Sequence, residues 1–255
     1  MNFLAAIGFL TSIPIGRRTM EGRSLAGSAV YFPLVGLLIG LILASVDYGL
    51  GRVLPNLLTS AITITILVLI TGALHFEGFV DACDGLFGGH TRERRLEIMR
   101  MKNVGAYAVA GGALLLILKF AAISSLSHEW DRFWIIVIFP MLSRWGMTLA
   151  LSVFPYAREQ GLGTAFRGVE TALVIIAAAV TLIIAGVFAG LAGALLFALA
   201  TIVAIVMGLW VTKLLGGLTG DIYGAINELS EVVLLVTAIG IMHYMSIEPI
   251  WKVFS

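Results

Sequence analysis

The sequence predicts an all-α, polytopic integral membrane protein of about seven transmembrane helices, preceded by a short interfacial or re-entrant segment. Three observations carry this. The 255 residues are 60% hydrophobic and only 12% charged, whereas soluble domains hold about 25% charged residues. Mean hydropathy is +1.03. The apolar residues fall in runs long enough to cross a bilayer, and the charges collect between them. A single membrane domain over residues 1–255 accounts for the whole chain. The net charge of +1 gives no reason to expect nucleic acid as a partner; membrane lipid is the expected surroundings. The single cysteine, Cys83, excludes an intrachain disulfide and is expected to be a packing residue.

Residues 3–15 are apolar but too short to cross ~30 Å of hydrocarbon, and Pro14 interrupts them. They lack a basic start and a small-residue cleavage pattern, so a cleaved signal peptide is not expected. A link with Arg17, Arg18 and Arg23 leads to the first span, 28–46, where Pro33 is expected to introduce a kink. The second span is 57–74. Residues 91–102 suit a basic amphipathic helix capped by Thr91, with Arg92, Arg95 and Arg100 facing lipid headgroups or phosphate. The third span, 104–126, carries Lys119, and the fourth, 133–154, carries Pro140 and Arg144. The run 169–212 is too long for one crossing, and GLAG at 190–193 is the natural turn between spans five and six. A polar link, KLLGGLTGDIYGAINELSE, precedes span seven at 232–247.

Threaded alternately, these spans put eleven of the sixteen Lys and Arg residues on one side. They are Arg17, Arg18, Arg23, Arg92, Arg94, Arg95, Arg100, Lys102, Arg158, Arg167 and Lys213. The opposite side holds Arg52, Arg132 and Lys252. The positive-inside rule makes the first side cytoplasmic. Every glycine- and acid-rich motif falls there, so the sequence points to the cytoplasmic (inner) membrane with a cytoplasmic site.

The stretch from His75 to Tyr107 is the longest polar interruption. If its first part is helical, ~100° per residue brings Glu77, Asp81 and Asp84 within about 60° of one another. Three carboxylates on one face repel unless a cation lies between them, and all-oxygen ligation favours magnesium over zinc. Gly78, Gly85, Gly88 and Gly89 are expected to clear space for a large ligand. In the second acidic motif, Asp221 and Glu228 also share a helix face, with Glu231 one turn further on. The two motifs read as halves of one site. The catalytic candidates are Glu77, Asp81, Asp84, Asp221 and Glu228; Glu77, Asp81 and Asp84 are the metal ligands.

Arg144 lies mid-span, where burial in lipid costs at least ~2.5–3.5 kcal/mol. With no acid expected at its depth, it is read as an anion contact. Lys119 can snorkel toward the interface. His75 precedes the acids and projects away from Glu77. These three, with Arg92, Arg95 and Asn227, form the substrate-binding set. A divalent metal, several cations and a carboxylate-rich pocket suit pyrophosphate chemistry. The residues by themselves therefore imply a membrane phosphoryl or prenyl transferase.

Nearly the whole chain resembles the cobalamin synthase (adenosylcobinamide-GDP ribazoletransferase) family. The resemblance rests on FLTSIPIGRR, YFPLVGLLIGL, HFEGFVDACDGLFGGHTRERRLEIMR, VGAYAV, LLLILKFAAI, SRWGM, FPYAREQGLG and GGLTGDIYGAINELSE. Its specific part is the HxDGxxDxxDGLFGG pattern. Glu77 stands here in place of the usual aspartate, and Met101 where an aspartate is frequent. The resemblance implies that the ribose 3′-hydroxyl of α-ribazole, or of its 5′-phosphate, attacks adenosylcobinamide-GDP at the phosphorus nearer the corrinoid. GMP leaves, in the last assembly step of vitamin B12 synthesis, with Mg²⁺ as cofactor. It implies that Asp81 and Asp84 hold magnesium and that Glu77 is a third ligand or the general base. Asp221 and Glu228 would bind a second metal or orient the hydroxyl, and Arg92, Arg95 and Arg144 would contact the anion.

Two other classes fit less well. A prenyltransferase or CDP-alcohol phosphotransferase would need a second DxxD-like motif, which TGDIYGAINE is not. A transporter would carry acids deep inside its spans, whereas all fifteen are expected in links or near span ends. The sequence is compatible with a homo-oligomer.

Overall fold

The computed structural model describes residues 2–15, 25–126, 129–166 and 168–244. The link with Arg17, Arg18 and Arg23, together with Arg167 and Lys252, lies outside them. Among the described residues the secondary structure is helical, apart from a single isolated bridge. Helix α1 is Asn2–Leu10 and α2 is the single turn Ala26–Ala29. Then follow α3 (Phe32–Leu50), α4 (Asn56–Ile70), α5 (Leu74–Gly88) and α6 (Arg92–Ile98). The chain continues with α7 (Ala106–Ser125), α8 (Glu129–Val153), a 3₁₀ turn at Leu162–Phe166, α9 (Thr171–Leu215) and α10 (Gly220–Tyr244). By length and apolarity, α3, α7, α8, α9 and α10 can each cross a membrane, and α4 with α5 passes the same test only as a bent pair.

Helix α8 is the centre of the bundle, and α3 lies closest against it. Gly36 and Gly40 are one turn apart on α3, and a β-carbon at either would overlap backbone carbonyls of α8, those of Pro140 and Val137. Small residues let membrane helices approach at backbone distance, where dispersion contacts replace the hydrophobic drive that lipid removes. Gly40→Ala is expected to overpack this crossing and cost about 1–3 kcal/mol, read as a lower thermal midpoint in detergent; an unchanged midpoint would argue against so close a contact. Pro33 does not kink α3. It sits in the first turn, where its missing N–H costs nothing.

The 169–212 run does turn where expected. Gly190 leaves the helical region (φ 54°, ψ −136°), and a side chain at Gly193 would overlap the Ala185 carbonyl, so the chain doubles back. Two boundaries differ from expectation. The second span ends at Ile70, because Gly72 and Ala73 both take positive φ and turn α5 by 89° out of α4. The last helix starts at Gly220, not at 232, so the motif expected in a link forms its first turns. The polar stretch after His75 folds into α5 and, as its pattern predicts, the basic helix α6, with Thr91 capping α6 through the Arg94 amide at 3.2 Å.

Candidate active site

Helices α5 and α10 cross at Gly78 and Gly224. A β-carbon on Gly78 would lie 2.9 Å from the Asp221 carbonyl, and one on Gly224 would lie 2.9 Å from that of His75. The expected use of the glycines is met only in part. Gly78 admits the backbone of α10 and also lines the cavity described below, whereas Gly85 and Gly89 admit Met99 and Arg95. The close crossing joins the two acidic motifs, which are far apart in the chain. Glu77, Asp81 and Asp221 line one cavity of about 230 Å³, together with His75 and Tyr223.

The cavity has two chemically distinct sides. Phe9, Phe32 and Phe166 form an aromatic cluster, with ring centroids 5.7 Å apart for Phe9–Phe32, 4.9 Å for Phe9–Phe166 and 5.6 Å for Phe32–Phe166. Leu74, Met147 and Leu151 extend that apolar side. On the other side, Arg158 donates from Nη2 to Asp221 Oδ2 at 2.9 Å. It is held there because the segment after α8 is pinned to the turn before α10. The Ala157 amide donates to the Leu218 carbonyl at 2.8 Å, and the Leu218 amide donates to that of Pro155 at 2.8 Å. Thr219 Oγ1 also donates to Asp221 Oδ2, at 3.2 Å. A neighbouring cleft is lined by Arg92, Arg100 and Arg158 among acidic residues.

Helix α5 lies outside the five membrane-length helices, and Asp81 faces excess negative charge. Burial, then Asp221, Glu77 and Asp84, push its carboxyl up to about 6, with Arg158 opposing. Burial and the Asp84 carboxylate likewise push the Cys83 thiol up to about 11, consistent with an unreactive packing residue.

The other predicted site residues are placed differently. Asp84 accepts the Gly105 amide at 2.5 Å and the Ala108 amide at 2.8 Å, so it caps α7 and does not line the cavity. Arg92 donates from Nε to the Leu215 carbonyl at 2.7 Å, closing the end of α9, and Arg95 donates to the Gly89 carbonyl at 3.0 Å.

Glu228, Glu231, Lys119, Arg144 and Asn227 form a separate buried network between helices. Lys119 donates to Glu228 at 2.5 Å and to Glu231; Arg144 donates to Glu231, and so does Asn227 Nδ2, at 3.2 Å. This corrects three expectations. Arg144 is fully buried and has an acid at its own depth. Lys119 does not snorkel. Glu228 and Glu231 lie inside a membrane-length helix rather than in a link, so the position of the acids no longer argues against a transporter. The physical reason is common to all three: with α10 starting at Gly220, its inner face turns both glutamates toward the two buried cations, and two cations then balance two anions.

His75 joins the two regions. It is among the residues that line the cavity, and its Nδ1 lies 3.5 Å from Arg144 Nη2. At the opposite end of the bundle a further buried pair closes the helices. Arg132 meets Asp47 with two bonds of 2.6 Å, and Thr63 Oγ1 donates to Asp47 at 2.9 Å. Sequence reasoning noted Glu231 beside Glu228 but not its partners, and missed Arg158 and the Asp47–Arg132 pair. Arg158 had a signal too, since it lies in a glycine-bearing loop on the same face as both acidic motifs.

Fold and site together define a polytopic membrane protein with a carboxylate-lined cavity at one end of its helix bundle. The comparisons make this specific. The chain belongs to the cobalamin-5-phosphate synthase family, whose model matches residues 2–239. It is 36% identical over 245 residues to a Geotalea daltonii protein, covering 94% of this chain and 97% of that one. It is 38% identical over 247 residues to one from Syntrophobacter fumaroxidans, covering 93% and 97%. A Desulforamulus reducens protein is 35% identical over 229 residues, covering 89% and 91%. All three relatives are named adenosylcobinamide-GDP ribazoletransferase. No solved structure matches the chain.

Proposed function

We propose that this protein is an adenosylcobinamide-GDP ribazoletransferase that catalyses the final step of cobalamin synthesis by Mg²⁺-dependent phosphoryl transfer. Family membership supports the enzyme identity. The observation that carries the chemistry is the meeting of Glu77, Asp81 and Asp221 in one cavity beside Arg158. The ribose hydroxyl of α-ribazole or its 5′-phosphate attacks the phosphorus nearer the corrinoid. A new P–O bond forms, the bond to the bridging oxygen breaks, GMP leaves, and the hydroxyl proton passes to a cavity carboxylate.

The donor set suits magnesium. Among the described residues, no group of three His, Cys, Asp or Glu side chains converges closely enough to enclose a metal. Magnesium rarely needs such a cage, because it keeps several waters and takes one or two carboxylates plus substrate phosphate oxygens. Asp81 and Glu77 would supply those carboxylates; burial first, and then the neighbouring Asp221, Glu77 and Asp84 carboxylates, raise the Asp81 carboxyl, and a cation would offset the second of these. When bound, the ion supplies charge neutralisation at the phosphates. Arg158 holds Asp221 in place and adds a cation at the edge of the site. The count of basic residues on the linking segments favours placing this end of the bundle at the cytoplasmic face of the inner membrane.

The test is direct. Purified protein in detergent or liposomes, given adenosylcobinamide-GDP, α-ribazole and magnesium, is expected to release GMP. A chelator should stop the release and added magnesium restore it. GMP release that continues unchanged in chelator would remove magnesium from the mechanism. No GMP release under any condition would remove the reaction itself.

A further inference from the structure

The cavity that carries Glu77, Asp81 and Asp221 is small and two-sided, and this decides which of the two substrates it can hold. At about 230 Å³ it has room for a nucleoside. A corrinoid, a macrocycle of four linked five-membered rings with its side chains and axial adenosyl group, is several times larger. One side is aromatic: Phe9, Phe32 and Phe166 lie within 6 Å of one another, centroid to centroid, with Phe9 and Phe32 stacked and Phe166 edge-on to both. The other side is acidic. A planar heteroaromatic base on a ribose has the matching division, with an apolar π face at one end and hydroxyls at the other.

A second observation also points to a ligand. His75 is buried, and its Nε2 has no hydrogen-bond partner. Arginine has only donors, so the contact between Arg144 Nη2 and His75 Nδ1 requires Nδ1 to accept. In a neutral ring the hydrogen then sits on Nε2. A buried N–H without an acceptor is costly, and a ligand oxygen in the cavity would relieve it.

We infer that this cavity is the seat of the acceptor nucleoside, with its base against Phe9 and Phe166, its ribose hydroxyls at the carboxylates, and His75 Nε2–H donating to one of its oxygens. The adenosylcobinamide-GDP then approaches from outside the cavity, and only its pyrophosphate reaches the carboxylate edge. Arg144 and Glu231 act as positioning residues that hold the histidine. The inference rests on the ribazoletransferase reading for the identity of the nucleoside.

The experiment measures binding of α-ribazole alone to the full-length protein in detergent, and separately KM for each substrate. Base–aromatic stacking lost on truncation corresponds to about a tenfold to hundredfold effect. Phe166→Ala is expected to weaken α-ribazole binding and raise its KM by about that factor, leaving KM for adenosylcobinamide-GDP within twofold or so. Leu151→Trp fills the cavity instead of emptying it, and should abolish α-ribazole binding without loss of thermal stability. His75→Gln keeps a donor and should retain more binding than His75→Phe. If α-ribazole binds both cavity variants as it binds the parent protein, or if only KM for adenosylcobinamide-GDP rises, the assignment is overturned. Binding that behaves as expected in a protein that releases no GMP would sink the reaction while leaving the seat intact.

Discussion

Asp81→Asn is expected to lower kcat/KM by about a thousandfold or more while the protein still inserts and purifies. Asp81 is the carboxylate most surrounded by others, with Asp221, Glu77 and Asp84 all acting on it. The amide is isosteric, so packing on α5 is unchanged. It carries no charge, however, and cannot replace a carboxylate toward a cation or take a proton from the attacking hydroxyl. Loss of Lewis-acid charge stabilisation is worth several kcal/mol, and each 1.36 kcal/mol is about tenfold in rate. Turnover with magnesium, alongside thermal stability in detergent, checks this. Near-parental activity at low magnesium would exclude Asp81 as a ligand or base. Asp84→Ala provides a contrast, because this side chain caps α7. Its expected cost is the ~0.5–2 kcal/mol of a lost helix cap, seen first in stability.

The second large effect is on stability. Glu231→Gln leaves Arg144 without its acid partner and Lys119 with only one, among side chains that are fully buried or nearly so. Breaking one partner out of a buried ion pair costs about 3–5 kcal/mol, because the surviving charge stays buried. The single variant should therefore show a much lower thermal midpoint or fail to accumulate. Arg144→Met combined with Glu231→Gln removes one charge of each sign and leaves Lys119 paired with Glu228. It should recover much of the loss. If the double variant is no better than the worse single one, the pairing of Arg144 with Glu231 is not what holds these helices.

Chain-local properties were legible in the sequence, because a bilayer constrains them directly. Every crossing segment must satisfy its own backbone hydrogen bonds and remain apolar for about 20 residues. Hence α3, α7 and α8 lie close to the predicted spans, and the turn falls at Gly190. The i, i+4 spacing of Glu77 and Asp81 was enough to place both on one side of α5, and the motif around them was enough to name the family. Hydropathy could not locate the start of α10, since averaging over Gly220–Glu231 counts acids as solvent-facing even where a partner helix brings cations to meet them.

What only the tertiary structure decided is pairing across the chain. Lys119 meets acids 109 and 112 residues away, Arg158 meets Asp221 from another segment, and Asp84 spends its two oxygens on the amides of α7. A sequence shows how many charges there are and at what spacing. Whether a buried charge faces a substrate or an opposite charge depends on which helix packs against it. Here that is set by glycines such as Gly78 and Gly224, which let two backbones touch and so join two distant acidic motifs in one cavity.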